Sequence, residues 1–172
     1  AQAVKIEGGT RMAGRIQAVT NADIPVMGHI GLTPQSVNRF GGYRVQGKNY
    51  KDARQIKLDA LKLQEAGVFS IVLEGIYGDL AAEITQTVKV PTIGIGAGVQ
   101  CDGQILVLHD LLGLGVNSAP KFVKQYANLG DETQKAVNTF IQEVRNEVFP
   151  TEDHSYKSIT QKLKSVNDPH QE

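Results

Sequence analysis

Apolar and polar positions along this 172-residue chain switch repeatedly between a period of two and a period near 3.6. Val4 to Glu7 alternates in strand fashion and stops on Gly8 and Gly9. From Thr10 to Thr20, Met12, Ile16 and Val19 recur at helical spacing, with Asn21 as a stop signal. Val26 to Leu32 is a short apolar run, followed by a long excursion punctuated by Gly41, Gly42 and Gly47. Helical spacing returns at Asp52, taken as the cap, through Ala53, Ile56, Ala60 and Leu63, with Gly67 positioned to end it. Ser70 to Glu74 reads as a buried strand finishing on an acid. Asp79 to Val88 reads as a helix, with Leu80, Ile84 and Val88 on one face. Thr92 to Ile95 reads as a strand running into the turn Gly96-Ala97-Gly98.

The next segment is ambiguous. Gln104 to His109 has strand propensity, but Gly98 to Gln104 is shorter than the dozen or so residues of an ordinary parallel crossover. It is therefore assigned as a helix capped by Asp102, with Ile105, Leu108, Leu111 and Leu112 as its stripe and Gly113 or Gly115 at its end. Lys121 to Ala127 is assigned as the next strand. A helix from Asp131 follows, with Val137, Phe140, Ile141, Val144 and Val148 on one side and Pro150 as its breaker. Residues 151–172 are mostly polar and are expected to form a C-terminal tail. Strand and helix thus alternate five times, which predicts parallel strands with helices outside them.

Composition narrows the possible partners. Lys+Arg and Asp+Glu are both 18, giving a formal net charge of zero. With no basic run, nothing in the sequence argues electrostatically for nucleic acid or an anionic membrane surface. A single cysteine, Cys101, cannot form an internal disulfide and suits a reducing cytoplasmic setting. No apolar run approaches the roughly 20 residues that span a bilayer. The chain begins at Ala1 with neither Met nor a leader before its first strand, so further sequence upstream is expected.

Parallel α/β folds keep their ligands at the C-terminal ends of strands. This chain puts Lys5, Glu7, His29, Glu74 and the Gly96-Ala97-Gly98 turn there. Two acids, a lysine and a histidine suit an oxygen-ligated divalent cation and a general base acting on an oxygen-rich anionic substrate. Each residue also has a plainer reading. Lys5 and Glu7 make a solvated ion pair, Glu74 bonds a neighbouring amide, and His29 packs as a hydrogen-bonded core residue. The glycine turn lacks the full dinucleotide fingerprint and is read as a tight strand-to-helix turn. Asp102-Gly103 is read as a helix entry, and His109 and Cys101 as structural.

Longer stretches carry a resemblance. Val4 to Gly9, Gly28 to Gln35, Gly41 to Gly47, Ile93 to Gly98, Cys101 to Asp110 and Glu152 to Tyr156 together resemble the ketopantoate hydroxymethyltransferase family, also called 3-methyl-2-oxobutanoate hydroxymethyltransferase. The resemblance implies a (β/α)8 barrel of the phosphoenolpyruvate/isocitrate-lyase type. About five of its eight βα units would lie in this chain, residues 1–150 running from strand 4 to helix 8. It implies transfer of a hydroxymethyl group from 5,10-methylenetetrahydrofolate to α-ketoisovalerate in pantothenate biosynthesis, with Mg²⁺ and a large homo-oligomer, commonly a decamer. Carried over by motif, Glu7 is the magnesium-site acid, Lys5 the keto-acid contact and Glu74 the proton acceptor. His29 lines the same rim as a substrate-side residue.

Two departures stand out. Tyr77 occupies a position where the family usually has proline, next to the expected base. The family also carries three strands upstream of the Lys-Ile-Glu motif, two of them bringing aspartates to the metal, and this chain has no counterpart. Five strands cannot close an eight-stranded barrel. Two alternatives remain at this point: a C–C lyase of the same superfamily that needs no folate, and a catalytically incomplete scaffold or interaction fragment.

Overall fold

The computed structural model describes residues 1–36, 42, 44–115 and 119–156. Five parallel strands form one sheet in sequential order: β1 (Val4–Glu7), β2 (Val26–Gly31), β3 (Ser70–Glu74), β4 (Thr92–Ile95) and β5 (Gly103–Gln104). Helices α1 (Ala13–Thr20), α2 (Tyr50–Glu65) and α3 (Gly78–Thr87) fill the first three crossovers. A strand order that never reverses is that of a barrel arc. A doubly wound sheet would reverse at a switch point.

The two faces of this sheet differ in chemistry. Ile6, Val26, Ile30, Ile71 and Leu73 lie on one side, in the core that also holds Ile16, Ile56, Ala60, Leu63, Leu80 and Ile84 from the three helices. The other side carries Lys5 and Glu7, Met27 and His29, and Val72 and Glu74, because register partners in a parallel ladder share a face. Helices shield one face, so the opposite one faces what would be the barrel interior.

Local details follow from cap and turn chemistry. Asn49, not Asp52, caps α2. Its side chain accepts from the Asp52 backbone N–H at 3.0 Å, and Asp52 sits in the first turn. Gly67 ends that helix at φ +87°, as its position predicted.

The segment after β4 corrects the sequence-based assignment. Gly103–Gln104 is a strand paired in parallel with Ile93 and Gly94, and Ile105 N donates to Gly94 O at 3.0 Å. The link between β4 and β5, residues 96–102, contains no helix. Gly96 and Gly98, at φ +64° and +79°, fold the chain back within that span, so the usual crossover length does not apply. Only Leu108–Leu111 is helical (α4). Asp102 caps nothing: its carboxylate accepts from Thr92 N at 2.8 Å and Thr92 Oγ1 at 3.0 Å.

Lys121 to Ala127 is not a strand either. Val123 N closes a turn on Pro120 O, and Tyr126 N donates to Leu111 O, tying the segment to the end of α4. Strand propensity needs a partner edge to act on, and this segment is committed to these turn bonds.

The last helix, α5 (Leu129–Arg145), begins two residues before the expected Asp131 and ends ahead of Pro150. Its apolar stripe is present, but Val137, Phe140, Ile141 and Val144 are all exposed. The short 3₁₀ turn Glu152–His154 follows, and residues 157–172 of the expected tail, with Phe40, Gly41 and Tyr43 of the glycine-rich excursion, lie outside the described residues. Among the described residues no helix is long and apolar enough to cross a membrane.

The hydrogen bond from the Thr92 backbone, with a second from its hydroxyl, holds the Asp102 carboxyl below its ordinary pKa of 3.8. A depressed carboxyl pKa adds stability that is present above the ordinary value and lost as pH falls through the folded one. Asp102→Ala should therefore cost about 1 kcal/mol at pH 7, the exposed setting keeping the figure small. Urea unfolding of both proteins should show that difference shrinking as the pH is lowered below 3.8.

Candidate active site

The C-terminal ends of β1, β2 and β3 bring four polar side chains together. The ladder pairs Glu7 with His29 and, one pleat further on, Gly31 with Glu74. Lys5 Nζ lies 3.0 Å from His29 Nδ1 and 3.5 Å from Glu7 Oε1. His29 Nδ1 is also 3.6 Å from Glu7 Oε1, and its Nε2 lies 3.1 Å from Glu74 Oε2. All four residues expected at the site from the sequence are thus in one cluster. The reading of Lys5 and Glu7 as a solvated surface pair does not hold: the Glu7 side chain is only 9% exposed, although Lys5 keeps 43%.

His29 is the buried centre of the cluster, at 3% exposure. The 3.1 Å approach to Glu74 is close enough for an ion pair, yet it is bent away from hydrogen-bond geometry. Nε2 is the one buried side-chain polar atom, among the described residues, without a hydrogen-bond partner. Such atoms are uncommon in folded proteins.

Gly31 makes the approach sterically possible. It sits at φ +90°, and a Cβ there would come within 2.3 Å of the Glu74 carbonyl oxygen. That carbonyl in turn accepts from Leu32 N at 2.8 Å. A side chain at position 31 would push β2 and β3 apart where His29 and Glu74 meet.

Glu7 was the expected magnesium ligand. Its Oε2 accepts from the Gln35 backbone N–H at 3.0 Å, leaving Oε1 toward Lys5 and His29. A carboxylate oxygen is the donor class Mg²⁺ takes, usually one or two per site with water and substrate oxygens completing the shell. Among the described residues no group of three or more His, Cys, Asp or Glu could enclose an ion. The Glu7 carboxylate is thus compatible in donor type with a single ligand to such an ion.

Glu74 also borders a groove of about 1580 Å³, lined among others by Arg44, Tyr77, Ile105, Phe122, Lys124 and Tyr126. Lys124 Nζ stands 4.9 Å from the centre of the Tyr126 ring. Sequence reading missed Phe122, Lys124 and Tyr126 of this groove because residues 121–127 were assigned to a strand. Gln35 was missed because its contribution is a backbone amide, which no side-chain pattern reports. Cys101 is structural, as read: it packs against the core, and burial pushes its thiol pKa up, away from reactivity.

An arc of parallel strands with helices on one face, and a lysine, two acids and a histidine at the strand ends on the other, defines an α/β barrel-type protein with an enzyme-like rim. Comparison with known proteins makes this specific. The family model for ketopantoate hydroxymethyltransferase matches residues 1–152, and the chain belongs to that family.

Among curated relatives, the 3-methyl-2-oxobutanoate hydroxymethyltransferase of Pelobacter propionicus is 62% identical over 156 residues, 91% of this chain and 58% of that protein. The one from Clostridium beijerinckii is 54% identical over 166 residues, 96% of this chain and 60% of that protein. The chain thus spans about three fifths of the length of these relatives. A solved lyase/mutase structure from Burkholderia cenocepacia aligns over 87% of this chain and 52% of its own, at a TM-score of 0.39 and 15% identity. That likeness is too distant to bear on the chemistry.

Gly31→Ala should destabilise the fold by at least about 1–3 kcal/mol, the usual cost of forcing a side chain into strained backbone. Chemical denaturation measures it; Gly14→Ala, on α1 in open space, should instead stabilise by up to about 1 kcal/mol and serves as the control of opposite sign.

Proposed function

We propose that this chain is the catalytic C-terminal part of a 3-methyl-2-oxobutanoate hydroxymethyltransferase, acting once the remaining barrel strands are supplied. The observation that carries the reading is the convergence of Lys5, Glu7, His29 and Glu74 at one strand-end rim. Family membership over residues 1–152 supports it. The substrate is α-ketoisovalerate, and the co-substrate is 5,10-methylenetetrahydrofolate. The complete enzyme is cytoplasmic and a homo-oligomer, a decamer in the family pattern. The exposed apolar stripe of α5 is consistent with a surface that is covered in the whole assembly.

The C3 hydrogen of a 2-keto acid is weakly acidic, and its removal needs a base nearby and stabilisation of the enolate oxygen. Lys5 retains enough exposure to place its ammonium against the substrate carboxylate while bridging His29 and Glu7. Glu74, at the rim and next to the groove, accepts the C3 proton. Glu7 would contribute one ligand to a Mg²⁺ ion that, when bound, supplies Lewis-acid stabilisation of the keto oxygen.

The carbanionic C3 forms its new bond to the one-carbon unit, both of whose C–N bonds to folate break over the reaction. Water supplies the hydroxyl oxygen of the product, and the C3 proton and one water proton end on the two released folate nitrogens. The large groove beside Glu74, with its aromatic and cationic lining, suits approach of a flat anionic co-substrate from that side.

The test is turnover of the chain completed by the N-terminal strands its relatives carry. It should consume α-ketoisovalerate only with Mg²⁺ and methylenetetrahydrofolate. Glu74→Gln should lower kcat by about 10²–10⁴-fold with an unchanged unfolding midpoint. Full activity in that variant would refute the base assignment. Turnover without folate would favour a C–C lyase, and a completed protein with no turnover would favour an interaction role.

A further inference from the structure

The protonation pattern at His29 follows from its neighbours. Lys5 Nζ stands 3.0 Å from Nδ1, and an ammonium has only protons to give. Nδ1 therefore accepts, and the ring's own proton sits on Nε2.

The Nε2–H then faces Glu74 Oε2 at 3.1 Å, in a place closed to solvent. A group sealed in this way does not reach a bound substrate. It reaches Glu74, which is 16% exposed and borders the groove. The contact is short but bent, as catalytic hydrogen bonds often are before substrate tightens them. The glycine opposite Glu74 in the ladder keeps β2 and β3 close at this point, since a Cβ there would meet the Glu74 backbone carbonyl.

We propose that His29 is a positioning residue for Glu74. Fixed by Lys5 as the Nε2–H tautomer, it is placed to donate to Glu74 Oε2 when bound substrate brings the pair into line, which leaves Oε1 for the substrate carbon that loses its proton. Lys5 thereby has two tasks, holding the substrate carboxylate and setting the tautomer of the ring behind it. The proposal rests on Glu74 being the base, and it replaces the expectation that His29 binds substrate directly.

Two measurements test it. Long-range proton–nitrogen correlation spectra of the full 172-residue chain should show His29 protonated on Nε2, with that resonance moving in Glu74→Gln. In Lys5→Met the Nδ1-protonated form should gain population, because Glu7 Oε1, 3.6 Å from Nδ1, is then the remaining acceptor on that side. An Nδ1–H tautomer in the parent chain, or an Nε2 resonance indifferent to Glu74, would overturn the proposal.

The second measurement is deuterium uptake from D₂O at C3 of α-ketoisovalerate by the completed enzyme without folate, which isolates proton removal. His29→Leu should slow it roughly 100-fold, the scale of an ångström-level misplacement, with KM within about twofold. His29→Gln, whose side-chain amide can donate from a position close to Nε2, should recover most of the rate. A rise in KM at constant kcat, or equal losses in Leu and Gln variants, would refute positioning. Uptake intact in His29→Leu but absent in Glu74→Gln would overturn this proposal alone. Uptake intact in Glu74→Gln would overturn the base assignment and the proposal with it, and the tautomer spectra would separate the two failures.

Discussion

The register of the ladder through β1, β2 and β3 is the constraint on which the rest depends. Glu7 pairs with His29, and Gly31 with Glu74. Side chains alternate with a period of two, so slipping β2 by one residue would send His29 toward the helices and bring Ile30 to the rim. What holds the register is the opposite face. Val26 and Ile30 are locked among Leu63, Ile71 and Leu73 in the helix-covered core, and burying each such side chain is worth about 1.5–3 kcal/mol. The hydrophobic effect on one face thereby fixes the chemistry on the other.

The polar cluster is arranged so that few groups go unsatisfied. Lys5 is shared between His29 and Glu7, and Glu7 takes a further hydrogen bond from the Gln35 amide. The exception is His29 Nε2, sealed from water beside an acid that is close but out of line. Among the described residues it is the one buried side-chain polar atom left without a hydrogen bond. Its neighbour Glu74 is also the acid that borders the large groove, so the buried cluster and the open groove meet at one carboxylate.

Elsewhere the chain carries surface it does not cover. The apolar stripe of α5 contributes no buried residue, and among the described residues β1 pairs with β2 alone. Both features agree with a chain that spans about three fifths of the length of its relatives. The core under α1, α2 and α3 is nevertheless closed, with Ile16, Leu63, Ile71 and Leu73 at zero exposure.

The sequence by itself determined what is set over short range. Helical spacing placed α1, α2, α3 and α5 to within a few residues. Alternating or continuous apolar runs ending in Glu7 and Glu74 marked strands with chemistry at their ends, and long motifs disclosed the family. Tertiary structure decided what depends on a distant partner. Gly103–Gln104 became a strand because β4 offered it an open ladder edge, and Asp102 joined Thr92 instead of capping a helix. Residues 121–127 turned instead of extending because their amides found Pro120 and Leu111. His29 is the clearest case. Its position in a strand was legible, but its place between Lys5 and Glu74 was not, because a hydrogen-bond partner 24 residues away in one direction and a carboxylate neighbour across a ladder in the other leave no periodic trace in a sequence.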